Sequence, residues 1–499
     1  MFYTGTRNSN IKVTSAEAIV KGLSDEGGLF VPENLPKLTE SDMKHLCKMS
    51  YAERAHLVLK KFLTDFTDSE LKSAVESAYN DNFSVEGITE LSQLYPDCYI
   101  LELFHGPTCA FKDMALQLLP HLMTISASKS EAVKGRHIAV LTATSGDTGK
   151  AALEGFRDIE NTSVTVFFPE DGVSLMQKRQ MTTQEGANIR VCAVKGNFDD
   201  CQTGVKEIFS DSDLKAQLAE KDMVFSSANS INWGRLVPQI VYYISAYASL
   251  LAAGEIEQGE KVNICVPTGN FGNILAAYYS REMGLPVNKL ICASNSNNVL
   301  TDCINTGVYD KNRELVLTAS PSMDILVSSN FERLLYHLSG NNESVIKALF
   351  ADLKEEGRYR LSSVIHEKLK ALFYGGWCDE GQTGQTIRDV FTEYGYLLDT
   401  HTAVAYKIYT DYRKNSGDST KTIITATASP YKFCAAVKGA LTGEAPEADE
   451  FITARKLEEL TNTKMPEPLA RTQSLPVRFA DSVEISEMKR AVSGIISSL

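Results

Sequence analysis

Basic charge is what this 499-residue chain most plainly lacks: 50 Lys and Arg face 63 Asp and Glu, a formal net charge of -13. That balance excludes a general nucleic-acid binder, whose footprint is a basic field. It leaves room for a small anion held by a few local cations. The ten cysteines contain no CxxC pair and no Cys/His cluster at metal-ligand spacing, so no metal site is expected. Scattered thiols of this kind fit reduced core cysteines in a cytoplasmic protein. No long hydrophobic run is present either. The best, IVYYISAYASLLAAG at 240–254, is shorter than a bilayer span and carries polar residues, which reads as a buried helix. MFYTGTRNSN at the start is polar, without the apolar stretch of a secretory leader.

What remains is an ordinary globular composition, 43% hydrophobic, on a chain long enough for two or three domains. From about residue 95, apolar β-branched runs alternate with helical patterns: HIAVLTAT (137–144), VTVFFP (164–169), NIRVCAV (188–194), VNICVPT (262–268), KLICASN (289–295) and TIITATA (422–428). Continuous apolar strands between helices predict an α/β fold with parallel-rich sheets covered on both faces. The first ninety or so residues read as mainly helical, with Thr14 and Glu17 spaced as a capping box before AIVKGL.

Two glycine-rich turns follow strands and precede helices. TSGDTG (144–149) offers Gly146 and Gly149 as points where backbone N–H groups converge on an anion. It is not a Walker A loop, because only two residues separate the glycines and Ala151 stands where Ser or Thr would hold magnesium. PTGNFGN (267–273) lets backbone approach a ligand at Gly269 and Gly272, and a phosphate on its amides needs no cationic side chain. It does not match GxGxxG. A tight turn without ligand is the other reading of each. SSANSINWGR (226–235) adds a polar cluster, Asn229, Ser230, Asn232 and Arg235, before the long apolar helix. A capped helix with a solvated arginine is its plainer explanation.

One lysine raises a question of its own. In HGPTCAFKDMALQ (105–117), Lys112 follows Cys109, Ala110 and Phe111, just where a helix begins. Apolar neighbours and the positive end of a helix both disfavour an ammonium there. Most lysines are simply solvated; the alternative is an amine kept neutral as a nucleophile or Schiff-base partner. Such a lysine, an anion loop and no dinucleotide fingerprint together suit pyridoxal 5′-phosphate, with an aldehyde for Lys112 and a phosphate for the GNFGN loop.

GLSDEGGLFVPENLP, HGPTCAFKD, TATSGDTGKAA, SANSINWGR and PTGNFGN occur in the order found in the threonine synthase family, which the chain resembles from about residue 2 to its C-terminal region. The resemblance implies a fold type II pyridoxal-phosphate enzyme of the long bacterial and fungal class. It implies two parallel-rich sheets covered by helices plus a mainly helical N-terminal domain. The expected division is residues 1–94 for that domain, 95–134 with 236–499 for the large cofactor-binding domain, and 135–235 for a small domain carrying the substrate loop. The implied reaction is that of a lyase acting on phosphate: O-phospho-L-homoserine and water give L-threonine and phosphate, ending threonine biosynthesis. A monomer in the cytoplasm, with no membrane or nucleic-acid partner, goes with it.

Carried onto this chain, the resemblance makes Lys112 the residue that holds the cofactor as a Schiff base and later shuttles protons at Cα and Cβ. Gly269, Asn270, Phe271, Gly272 and Asn273 match the cofactor-phosphate loop. Thr427 in ATASPYKF corresponds to the hydroxyl near the pyridine nitrogen, with Thr425 and Ser429 as competitors. Thr144, Ser145, Gly146, Asp147 and Thr148 match the loop for the substrate carboxylate. Arg235, with Asn229, Ser230 and Asn232, is the candidate for the substrate phosphate. Two departures are Cys109, where many relatives carry leucine, and ATASP in place of TAHP, which puts a histidine's role there in doubt. A phospho-lyase releasing 2-oxobutyrate, or a non-catalytic binding relative, are the alternatives.

Overall fold

The computed structural model describes residues 1–498. Near the N-terminus, β1 (Tyr3–Gly5), β2 (Asn8–Val13) and β3 (Phe30–Pro32) make a small antiparallel sheet in the order β2-β1-β3. Helices Ser15–Lys21, Glu40–Leu46, Tyr51–Phe62 and Asp68–Ala78 complete this unit. Thr14 and Glu17 do form the reciprocal capping box, at 3.2 and 2.8 Å. Mainly helical is therefore right, but the small sheet is an addition; β1 and β3, of three residues each, are too short to show a period of two, and the mostly polar NSNIKV of β2 carries no apolar run.

Strands β4 (Glu90–Tyr95), β5 (Cys98–Glu102), β6 (His137–Ala143), β7 (Thr162–Pro169), β8 (Ile189–Lys195) and β9 (Met223–Ser227) come next. They are followed by β10 (Val262–Pro267), β11 (Val287–Ser294), a short ribbon of β12 (Val308–Asp310) and β13 (Arg358–Arg360), then β14 (Phe373–Trp377), β15 (Thr422–Ala426) and β16 (Ser482–Glu484). The larger sheet runs β14-β11-β10-β15-β5-β4, parallel except for its β4 edge. The smaller, β16-β8-β7-β6-β9, is wholly parallel. All six anticipated strands are present. Two of the missed ones lack the signal, since FYGGW of β14 is broken by glycines and ELSQLY of β4 is a half-exposed edge, whereas CYILE of β5 is apolar and fully buried.

Helices cover both faces of each sheet, as parallel pairing requires. One continuous core joins the N-terminal unit, the helix Trp233–Ala252 and the facing sides of both sheets. Trp233 is fully buried, with the rings of Tyr3, Phe62 and Tyr279 at 5.2, 5.8 and 5.8 Å. Truncating such a side chain costs about 3–5 kcal/mol, so the N-terminal unit is welded to the site-bearing helix. The apolar run at 240–254 is part of that buried helix, and no helix among the described residues is long and apolar enough to cross a membrane.

The division expected from the sequence needs one correction. Residues 236–499 were assigned whole to the larger unit, yet β16 pairs with β8 and the helix Met488–Ser498 packs over the smaller sheet through Met488, Val492 and Ile496. SVE is too short to advertise a strand, and only the exposed edge of β8 gives it a partner.

Candidate functional site

Four of the marked segments leave the carboxyl ends of parallel strands: Thr144 after β6, Ala228 after β9, Thr268 after β10 and Thr427 after β15. This is the end at which open α/β sheets gather ligands. The turn carrying Lys112 is laced to the strand end beyond β15. Phe111 N–H donates to the Thr427 carbonyl at 2.9 Å, Ser429 N–H to that of Cys109 at 3.0 Å, and Ala110 bridges Ala428. Cys109 adopts a left-handed φ of 57° to make the bend.

Lys112 is buried, and its ammonium donates to Asp147 Oδ2 and Ser322 Oγ, both at 3.1 Å, beside the Phe111 ring. Burial pushes its amine below the ordinary lysine range; Asp147 opposes the shift, while Lys432 and Arg235 reinforce it. Burial therefore shifts the amine in the anticipated direction, but with a carboxylate attached.

That carboxylate is the main departure from expectation. Asp147, at the start of the helix Asp147–Gly155, turns its side chain inward instead of toward an incoming anion. Oδ1 accepts from Lys432 Nζ at 3.0 Å and Gln177 Nε2 at 2.8 Å, and Oδ2 from Lys112. Burial alone would raise this carboxyl, yet the two lysines outweigh it and hold it well below the usual carboxylate range. What remains for a substrate anion on this loop is its backbone and hydroxyls. Thr144 Oγ1 accepts the N–H groups of Gly146 and Gly149 at 3.0 and 2.8 Å. The hydroxyls of Ser145 and Thr148 are half-buried with no partner among the described residues.

The turn at 269–273 is built the other way round. Its carbonyls are tied back: Gly269 O accepts from Ser328 Oγ at 2.7 Å, and Asn270 O from Asn330 N and Nδ2, each at 3.1 Å. Phe271 takes φ 63° as N-cap of the helix Gly272–Glu282, its ring packed between Phe331 and Phe373. The amides at this helix start are thereby free to face an anion, and Asn273 Nδ2 is buried without a partner. A Cβ at Gly269 would stand 2.5 Å from Ser322 O. Ser322 thus touches both this turn and Lys112, and so brings the two together.

Arg235 is fully enclosed, with no carboxylate beside it among the described residues. Nη1 donates to Ala228 O, Nε has no partner, and burial lowers the guanidinium to about 10. Asn229 Oδ1 accepts from the Thr142 hydroxyl at 3.2 Å, and the Ser230 hydroxyl has no partner among the described residues. Asn232 is a correction: it was expected at the substrate. It is instead a fully used helix cap, accepting from Gly234 N at 2.8 Å and donating to Ile19 O and Ser227 O at 2.9 and 3.1 Å. Among the three competing hydroxyls, Thr425 within β15 is engaged with Tyr243 and Ser429 beyond it caps Tyr431, whereas Thr427 Oγ1 has no partner among the described residues.

Sequence reasoning missed Lys432, Gln177, Ser322 and the pair behind Ser322. His401 Nδ1 meets Asp399 Oδ1 at 2.9 Å and its Nε2 accepts Ser322 N–H at 3.2 Å. Lys432 lay inside the quoted ATASPYKF, but a lone lysine gives no sign of burial. Ser322 and His401 sit in stretches with no pattern at all.

A buried lysine ion-paired to an acid, a free amide nest and a buried arginine without a carboxylate, on two parallel-rich sheets, match the fold and site of the fold type II pyridoxal-phosphate-dependent class. The family model described as pyridoxal-phosphate dependent enzyme matches residues 85–348, that for the threonine synthase N terminus residues 2–79, and that for its C-terminal part residues 402–492. A threonine synthase of Pseudomonas aeruginosa is 38% identical over 95% of this chain and 97% of its own length. The crystal structure of a pyridoxal-phosphate-bound threonine synthase from Brucella melitensis superposes with a TM-score of 0.88 at 35% identity, covering 100% and 99% of the two chains. The chain belongs to the threonine synthase family. Threonine synthase-like 1 of Homo sapiens is 43% identical over 85% of this chain, which spans 58% of that longer relative.

The residues present fit the cofactor. An unpaired amide group at Asn273, amides at a helix start and a deprotonation-prone lysine are what a phosphate and an aldehyde require.

Proposed function

We propose that the protein is a threonine synthase, converting O-phospho-L-homoserine and water to L-threonine and phosphate. The observation that carries this reading is Arg235: a buried guanidinium without a carboxylate, near enough to Lys112 to repel its ammonium, wants a multiply charged anion. When bound, pyridoxal phosphate supplies the electron sink that makes protons on the substrate's Cα and Cβ removable.

Lys112 would hold the cofactor through its buried amine, and that amine takes and returns protons at the substrate's Cα and Cβ. Gly269, Asn270, Phe271, Gly272 and Asn273 would hold the cofactor phosphate through backbone N–H groups, and Thr427 would offer its hydroxyl to the cofactor ring. Ser145, Thr148 and the backbone around Gly146 receive the substrate carboxylate. Arg235, with the Asn229 amide and the Ser230 hydroxyl, takes the phosphate and stabilises its departure. Closure of the smaller sheet unit over the larger admits one water and excludes others. We take the enzyme to work as a monomer in the cytoplasm; its acidic balance supports no nucleic-acid role.

The test is an assay of cofactor-loaded protein with O-phospho-L-homoserine, following phosphate, threonine and 2-oxobutyrate together. Phosphate matched by threonine is the expected result. Phosphate matched by 2-oxobutyrate makes it a lyase on the same scaffold, and no phosphate sinks the substrate assignment. Gel filtration and cell fractionation test the assembly and location.

A further inference from the structure

Lys432 is the least exposed charged group of the site, with a side chain 0% accessible. It rises from the short helix Pro430–Phe433 after β15, and three acceptors surround its ammonium. These are Asp147 Oδ1 at 3.0 Å, Thr108 O at 2.9 Å and Gln180 Oε1 at 3.0 Å. An ammonium has three N–H bonds, and all are used. Gln180 in turn donates to Thr108 O at 3.3 Å, so the cradle is itself braced. Nothing in the proposed reaction employs this lysine.

Its place matters because Asp147 serves two lysines with separate oxygens, Oδ1 for Lys432 and Oδ2 for Lys112. A buried carboxylate deprived of its countercharge is costly. If Lys112 were the sole partner of Asp147, each loss of the Lys112 proton would strand that carboxylate in a nearly dry site. With Lys432 fixed on the other oxygen, and Gln177 donating beside it, Asp147 stays compensated whether Lys112 is charged or neutral. The remaining charge near Lys112 is Arg235, while Asp113, next along the chain, directs its carboxylate to Thr108. His401 reaches Lys112 only through Ser322.

We propose that Lys432 is a positioning residue: it is the standing counter-ion of Asp147, and it thereby frees Lys112 to react as a neutral amine. This rests on Lys112 being the cofactor lysine. Lys432 itself touches no substrate atom in this scheme and transfers no proton.

The experiment follows covalent capture of pyridoxal phosphate by the full-length chain, trapped with borohydride and located at residue 112 by peptide mass, from pH 6 to pH 10. Turnover is not needed, so the assignment of substrate can fail without touching this result; absence of any label at Lys112 would instead remove the cofactor reading. Expected in Lys432→Met is a capture midpoint at least one pH unit higher than in the parent protein, with Lys432→Arg close to the parent. A folded Lys432→Met with an unchanged midpoint would overturn the inference. Should that variant not fold, Asp147→Asn with Lys432→Met removes one charge of each sign and decides the matter. A midpoint within half a unit of the parent supports action through Asp147, and a larger rise refutes it.

Discussion

The two glycine turns at strand ends look alike in sequence and are opposite in construction. Residues 144–149 fold inward on their own Thr144 hydroxyl, which accepts two of the turn's amides, and they carry an acid whose charge is matched by two lysines. Residues 269–273 fold outward: their carbonyls are held by Ser328 and Asn330, and their amides are left free, with no charged side chain in the turn. The second arrangement suits a permanently bound phosphate, since backbone amides attract an anion without titrating. The first suits a carboxylate that arrives and leaves, because the loop is held by its own hydrogen bonds without the ligand. Strand–glycine–helix is thus a shared frame, and where the carbonyls go decides what it binds.

The sharpest break falls between these turns, on Lys112. Lys112→Ala should abolish borohydride-trappable cofactor and cut turnover by about 10²–10⁴-fold or more, read by phosphate release and absorbance together. Arg235→Met comes next, with kcat/KM for O-phospho-L-homoserine falling about 10–100-fold, as loss of charge-assisted hydrogen bonds implies. Its urea midpoint should hold or rise, because an unpaired buried charge is removed; a drop in midpoint would make Arg235 a structural residue.

Gly269→Ala and Thr144→Val then separate the turns themselves. The methyl at 269 meets the Ser322 carbonyl, which is backbone, and such overpacking costs about 1–3 kcal/mol. It should appear mainly as weaker cofactor binding in equilibrium dialysis. Thr144→Val leaves two amides without their acceptor, at about 1–3 kcal/mol, and should raise KM while leaving cofactor affinity near normal. Equal cofactor losses in both variants would erase the proposed division of labour.

The smallest effect is in pH dependence. Burial pushes Asp113 up to about 6, so the folded protein holds that proton more tightly than the unfolded chain. Its contribution to stability therefore declines as pH rises from the ordinary carboxylate range to about 6. Asp147 has the opposite sign: held low by its lysines, it stabilises the fold above the ordinary carboxylate range and loses this as pH falls. Urea midpoints of Asp113→Asn between pH 4 and pH 7 should show a flatter profile than the parent; an unchanged slope would contradict the burial argument.

Residue patterns made much of this legible in advance. Apolar β-branched runs gave β6, β7, β8, β10, β11 and β15, because a strand buried on both faces must be apolar throughout. Glycine spacing marked both turns, and the odd apolar setting of Lys112 marked the amine. Asn232 misled because an asparagine before a helix looks the same whether it caps or binds. Lys432 was invisible since burial of a lone lysine depends on residues some 250 to 320 positions away, Gln180 and Thr108.

By itself, then, the sequence determined the layered α/β architecture, the strand-end turns and a lysine with reason to be neutral, all of which follow from local apolar pattern and backbone freedom. Only the tertiary structure decided that Asp147 faces inward, that Arg235 stands without a carboxylate and that Lys432 shares the carboxylate of Lys112. Those are matters of which charge meets which in a space closed to water, and a chain's order does not state its distances.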